Sequence, residues 1–198
     1  ILNLGVKIHY EKRIDQPHFE QLKSNYDFVY IGVGAQLSAP FDLEGINSKG
    51  VLDSLDFLFK AKAQQASGIG KHVVIIGGGN TAMDAARTAY RLVGETGSVQ
   101  IVYRRTISEM PADQGEIKAV LEEGVEIIEL VAPERVIQKN GNVKALLCSR
   151  MELKGVDSKG RPLPVKIVGS EFEIACDTII PAIGQNLDID FATNDLLK

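Results

Sequence analysis

Two cysteines, Cys148 and Cys176, are all the thiols in this 198-residue chain, and they fall into no Cys-x-x-Cys pair and no Cys/His spacing suited to a metal. A zinc site or an iron-sulfur cluster ligated from within the chain is thereby excluded, and two reduced thiols in strands is the remaining reading. The three histidines, His9, His18 and His72, stand apart from one another and from any acid-rich motif. A hydrolytic triad has no support, and His72 reads as a strand-edge residue. Long apolar runs are missing as well: Val73 to Ile76 is far short of a bilayer span, and Ile1 to Tyr10 has neither a basic start nor a small-residue cleavage site. A cytoplasmic location is the default expectation. Charge of one sign is also lacking, because the net charge of -4 is spread over both signs and leaves no footprint for nucleic acid or an anionic membrane. Any anion must be bound locally.

What is present is ordinary for a folded domain, with 44% hydrophobic and 24% charged residues. The length suits one good-sized α/β domain, or one domain with part of another. Residues 4 to 10 (LGVKIHY) alternate like a strand, Phe19 to Leu22 offers a helical turn or two, and Tyr26 to Ile31 (YDFVYI) predicts a buried parallel strand. The glycine-rich string at 32 to 35 and the loop with Pro40, Gly45 and Gly50 mark the best boundary in the chain. Asp53 or Ser54 can then cap a helix carrying Leu55, Leu58 and Phe59 and ending near Gly68.

His72 to Ile76 predicts a strand, glycines follow at once, and Thr81 to Val93 places Ala82, Ala85, Ala86, Ala89 and Leu92 at helical spacing before Gly94. Val99 to Tyr103 is the second strand, a helix from Asp113 with Glu116 as a capping box carries Ile117, Val120 and Leu121, and Val125 to Ile128 is the third strand. Successive right-handed βαβ units imply an α/β, Rossmann-like doubly wound parallel sheet. Asn140-Gly141 then signals a tight hairpin, and with Val165 to Ile174 it predicts an antiparallel β excursion of three strands. Asp177 to Ile180 returns to the parallel sheet.

The glycine turn carries the chemistry. Gly77-Gly78-Gly79-Asn80-Thr81-Ala82 satisfies Gly-x-Gly-x-x-Ala between a predicted strand and a predicted helix. Gly77 permits the tight turn, Gly79 lets the backbone approach a pyrophosphate, and Ala82 lets the helix pack close to the sheet. The pyrophosphate would sit on the helix N-terminus, and Asn80 and Thr81 either cap the helix or reach a phosphate. An NAD site closes the second strand with an acid for the ribose hydroxyl, but here Tyr103 is followed by Arg104 and Arg105. Two guanidinium groups suit the 2'-phosphate of NADP. Asp84 and Glu109, the carboxylates near the turn, read as solvated or helix-capping groups, and Tyr103 as a packing residue. Two other classes compete: an NADP sensor without redox chemistry, and a methyltransferase, which would place an acid where the arginines stand.

These strings resemble the small (β) subunit of NADPH-dependent glutamate synthase and its relatives, including the flavin half of dihydropyrimidine dehydrogenase. The resemblance rests on YDFVYIGVGA at 26 to 35, VVIIGGGNTAMDAARTAYRL at 73 to 92, VYRRTISEMPA at 102 to 112, EEGVEI at 122 to 127 and DTIIPAIGQ at 177 to 185. It implies a two-dinucleotide-binding flavoprotein: a fragment of an FAD-binding domain at 1-36, an NADP-binding domain at 37-185, and a return to the FAD domain at 186-198. It further implies that Gly77, Gly78, Gly79, Asn80, Thr81 and Ala82 form the pyrophosphate cradle, Arg104 and Arg105 the 2'-phosphate site, and Ala182, Ile183 and Gly184 the backbone passing the nicotinamide. Such an enzyme passes a hydride from NADPH to FAD and hands electrons on through iron-sulfur clusters, which would lie outside this chain, to a large glutamate synthase subunit or another acceptor. The flavin fingerprints of the family would fall before residue 1 and after residue 198. The stretch as given is therefore expected to be colourless, inactive alone, and dependent on the remaining FAD-domain segments.

Overall fold

The computed structural model describes residues 2–65, 67–158 and 160–192. Contacts divide the chain into two compact units, one drawn from residues up to Gln36 and from Asn186 onward, the other spanning Leu37–Gln185. In the first unit the helix α1 (Gln16–Asn25) is longer than its sequence promised. Asp15 caps it by accepting from the His18 N–H at 3.0 Å, with Pro17 in the first turn, where a missing donor costs nothing. Residues 4 to 10 and 26 to 31 form no strand, which corrects both expectations. Phe28 and Tyr30 are each 94% exposed. An apolar run states that two faces need covering, but a strand also needs a neighbour to pair its backbone, and no described strand lies beside either segment.

The second unit is built around a four-stranded parallel sheet. Helix α2 (Ser54–Lys62) is capped by Asp53, whose carboxylate accepts from the Leu55 and Asp56 amides, and it ends several residues before Gly68. Strand β1 (His72–Ile76) leads to helix α3 (Asn80–Val93), strand β2 (Ser98–Tyr103), helix α4 (Gln114–Glu122) and strand β3 (Glu126–Glu129). The chain then makes an antiparallel excursion through β4 (Val131–Lys139), β5 (Asn142–Val156), β6 (Pro162–Lys166) and β7 (Phe172–Ala175), and returns as β8 (Thr178–Pro181). The parallel order is β3-β2-β1-β8, with Val73 opposite Val99 on one side and Thr178 on the other. The sheet grows in one direction from β1 and then resumes on the opposite side, so the topological switch lies between β1 and β8.

The unbroken apolar run in β1 follows from burial on both faces. Val73 and Ile75 face the helices, packing with Phe57, Ala82, Ala85, Ala86, Ala89, Ile117 and Val120. Val74 and Ile76 face the antiparallel sheet, with Val131, Val136, Leu146, Cys148 and Ile174. The four alanines of α3 are fully buried, which brings the helix close to the sheet. Leu92 and Leu121, expected on apolar helix faces, are instead about half exposed. Glu116 does not close a capping box: its carboxylate accepts from Arg87 at 2.9 Å, and Glu123 accepts from the same guanidinium, tying α3 to α4. These bonds from Arg87 hold the Glu123 carboxyl below its usual range.

The excursion has four strands where three were expected. Val165 to Ile174 breaks into β6 and β7 because Gly169 takes a φ of 74° and Ser170 turns its hydroxyl onto Ile167 O. The Asn140-Gly141 hairpin forms as read, with positive φ at both residues (53° and 75°). Cys148 lies in β5 and Cys176 just past β7. Burial pushes both thiols up to about 12, so they are neutral and inert as nucleophiles at neutral pH. Among the described residues no helix is long and apolar enough to cross a membrane, and no acid, histidine and thiol cluster could hold a metal.

Candidate functional site

Where β1 ends, Gly77 takes a φ of 143°, a conformation that side chains rarely adopt, and a Cβ there would drive into the carbonyl oxygen of Ala182. The strand turns sharply and β8 passes directly beside it, with the Ala182 amide donating to Ile76 O at 2.8 Å. Gly78 is required for a second reason: a Cβ would stand 2.6 Å from the Tyr103 ring. Gly79 differs from both, because a Cβ on it would meet nothing within 4 Å and its φ of -93° is ordinary. The open space over Gly79 lies at the N-terminus of α3, where Gly79 is the N-cap. No side chain satisfies the helix end there, and no acid sits in the first turn. Unpaired amides and an uncompensated dipole make that end attractive to an anion.

A cleft of about 540 Å³ opens at this point, outside the carboxyl ends of the parallel strands and at the topological switch. Gly77, Gly78, Gly79 and Thr81 line one wall, Ala182, Ile183 and Gly184 another, and Tyr103, Arg104 and Arg105 the end of β2. The start of β4, Val131 to Pro133, closes it from the excursion side. The structure therefore brings together nine of the eleven residues singled out from the sequence. Asn80 and Ala82 stand apart. Asn80 neither caps α3 nor lines the cleft, since its Oδ1 accepts from the Asp113 amide at 2.8 Å and fixes the start of α4. Ala82 is fully buried in the core, where its small size is what matters. Thr81 Oγ1 accepts from Gln185 Nε2 at 2.8 Å, a bond across the mouth of the switch.

The two arginines part company. Arg104 is exposed. Arg105 is 4% exposed; its Nε donates to Pro162 O at 2.6 Å and its Nη2 reaches Asp157 Oδ2 at 3.3 Å. Adjacent in sequence and expected to serve one phosphate, the two side chains have different surroundings: the Arg105 guanidinium pins the start of β6 over the end of β2. Arg161, which the sequence reading passed over, lines the cleft as well. Its signal was too weak to find, being a single basic residue in a polar loop. Tyr103 packs as expected, its ring over Gly78 and its hydroxyl donating to Glu109 O at 2.9 Å. Glu109 serves as a cap, its carboxylate accepting from the Thr106 amide at 3.0 Å. Among the described lining residues three are arginines and none is an acid.

The sequence pattern of the pyridine nucleotide-disulphide oxidoreductase family matches residues 3–198. The chain is 42% identical over 201 residues to the NADPH-Fe(3+) oxidoreductase subunit beta of Geobacter sulfurreducens, covering 99% of this chain and 30% of that protein. It is 36% identical to the NADP(+)-dependent formate dehydrogenase subunit beta of Moorella thermoacetica, covering 95% of this chain and 27% of the relative. A protein of Cereibacter sphaeroides provisionally named a glutamate synthase NADPH small chain is 34% identical, with 84% of this chain and 42% of that one covered. The chain thus spans well under half the length of these curated relatives. Among solved structures, Mycobacterium tuberculosis FprA in complex with NADPH superposes with a TM-score of 0.70 at 18% identity, over 84% of this chain and 52% of the other. At that identity the likeness concerns the fold alone.

Proposed function

Because the chain belongs to the pyridine nucleotide-disulphide oxidoreductase family, we propose that its Leu37–Gln185 unit holds NADPH in the cleft at the glycine turn, and that the intact protein passes a hydride from NADPH to FAD. On the same reading, residues 1-36 and 186-198 belong to an FAD-binding domain. The observation that carries the proposal is the lining: glycines under a bare helix end on one side and three arginines on the other, with no acid among the described lining residues.

The residues fit the group. A dinucleotide pyrophosphate needs backbone at close range, which Gly79 leaves open, and donors that need not be recruited from elsewhere, which the first turn of α3 supplies. A 2'-phosphate needs a cation at the end of the second strand, where Arg104 stands exposed. A nicotinamide ring would lie along Ala182 to Gly184, whose backbone borders the switch. When bound, NADPH supplies the hydride and FAD accepts it. This chain's share is to position the donor and exclude water, and no side chain need act as a general base. The small-subunit role of glutamate synthase is one member of this proposal. The relatives bear names that refer to ferric iron, formate and glutamate, so we assign the final acceptor to protein outside this chain.

A thermal-shift comparison of NADPH, NADH and S-adenosylmethionine tests the reading. A ligand at a hundred times its dissociation constant stabilises by about 2.7 kcal/mol, which at roughly 2–4 °C per kcal/mol is a rise of about 5–11 °C for a chain of this size. NADPH should give that rise, NADH less, and S-adenosylmethionine none. A rise with S-adenosylmethionine, or none with NADPH, would sink the proposal.

A further inference from the structure

Arg161 comes to the cleft for a structural reason. The turn from Asp157 to Arg161 is closed by the Asp157 amide donating to Arg161 O at 2.7 Å and by Gly160 N donating to Asp157 O at 2.9 Å. Immediately after it, Pro162 O is held by Arg105. Arg105 thus anchors this turn beside the end of β2, and the residue brought to the cleft wall with it is Arg161. Its guanidinium is oriented rather than loose: Nε and Nη2 lie 3.0 and 2.9 Å from Asp157 Oδ2, and the Arg161 amide donates to Asp157 Oδ1 at 3.0 Å. The pair with Asp157 engages Nε and Nη2 and leaves Nη1 outside it, and the side chain is 52% exposed.

We propose that Arg161 is a second specificity-determining residue for the nucleotide, donating together with Arg104 to the 2'-phosphate of NADPH. The adjacent arginines of the sequence therefore have different duties, Arg104 as a ligand and Arg105 as the tether that delivers Arg161. A dianionic phosphate between two guanidinium groups, with one carboxylate fixing the fork of the second, is a charge arrangement that NADH would not use. This inference rests on the reading of the cleft as an NADPH site, and its test separates the two.

The protein and its Arg104→Ala, Arg161→Gln and Arg161→Lys variants are titrated with NADPH and NADH at fixed low salt, since exposed phosphate contacts are screened. Loss of one charge-assisted hydrogen bond corresponds to about a tenfold loss of affinity. Arg161→Gln should weaken NADPH about tenfold and leave NADH unchanged, with Arg161→Lys between wild type and Gln. An equal loss for both nucleotides would show that Arg161 merely shapes the wall and would overturn the inference. So would an unchanged NADPH affinity in a protein whose preference Arg104→Ala abolishes, a result that leaves the cleft assignment standing. A wild type that binds neither nucleotide, or favours NADH, would instead remove the cleft assignment and this inference with it.

Discussion

Arg105→Ala is expected to lower the thermal midpoint by roughly 4–16 °C, while Arg104→Ala, one residue away, leaves it in place. The tether is nearly sealed from solvent and bonded to Pro162 O and Asp157. Its removal leaves a carbonyl unsatisfied at about 1–3 kcal/mol and strips the packing of the arginine stem, so a loss of about 2–4 kcal/mol follows. At roughly 2–4 °C per kcal/mol that gives the stated shift. Asp157 keeps Arg161 as a partner, which is why the cost falls below that of orphaning a buried charge. Arg104 is exposed, and surface substitutions stay within about 0.5 kcal/mol. Melting curves of the two variants decide the matter: equal midpoints would contradict the division of labour between the arginines.

Gly77→Ala and Gly79→Ala should fail in different ways. At Gly77 the new Cβ meets the Ala182 carbonyl at a φ of 143°. Backbone strain alone is about 1–3 kcal/mol, and the collision adds to it by forcing β1 and β8 apart at the switch. Stability and nucleotide binding should both fall. At Gly79 the Cβ enters open space at an ordinary φ, so the fold should persist with its midpoint close to wild type. Binding alone should suffer, because the added carbon stands where we place the pyrophosphate. If Gly79→Ala binds NADPH as well as wild type does, the pyrophosphate lies elsewhere.

The contrast between these residues also shows what the sequence could disclose. The glycine turn, the alanine face of α3 and the strand-end arginines were legible because each is a local requirement. A sharp turn, a close helix and a charged strand end are all written within a few residues. The family resemblance built on those strings is borne out at the level of the pyridine nucleotide-disulphide oxidoreductases. The fate of Arg105 was not legible, since its partners lie 52 and 57 residues downstream and nothing local distinguishes it from Arg104. Arg161 was hidden for the same reason. YDFVYI misled in another way: its apolarity is real, but periodicity registers a demand for burial and not the presence of a strand to pair with. Leu92 and Leu121 show the converse, apolar residues at helical spacing that the packing leaves half exposed.

The most direct test is calorimetric titration of NADPH and NADH into wild type and Arg104→Ala at the same salt. A charge-assisted bond contributes about 1.5–3 kcal/mol, so Arg104 and Arg161 should each favour NADPH over NADH by roughly 10-fold to 150-fold in the wild type. Arg104→Ala should lose the Arg104 share of that preference by weakening NADPH alone, with its melting curve unchanged, while Arg161 retains the remainder. A wild type that prefers NADH, or an Arg104→Ala variant that keeps its full preference for NADPH, would contradict the assignment of this cleft.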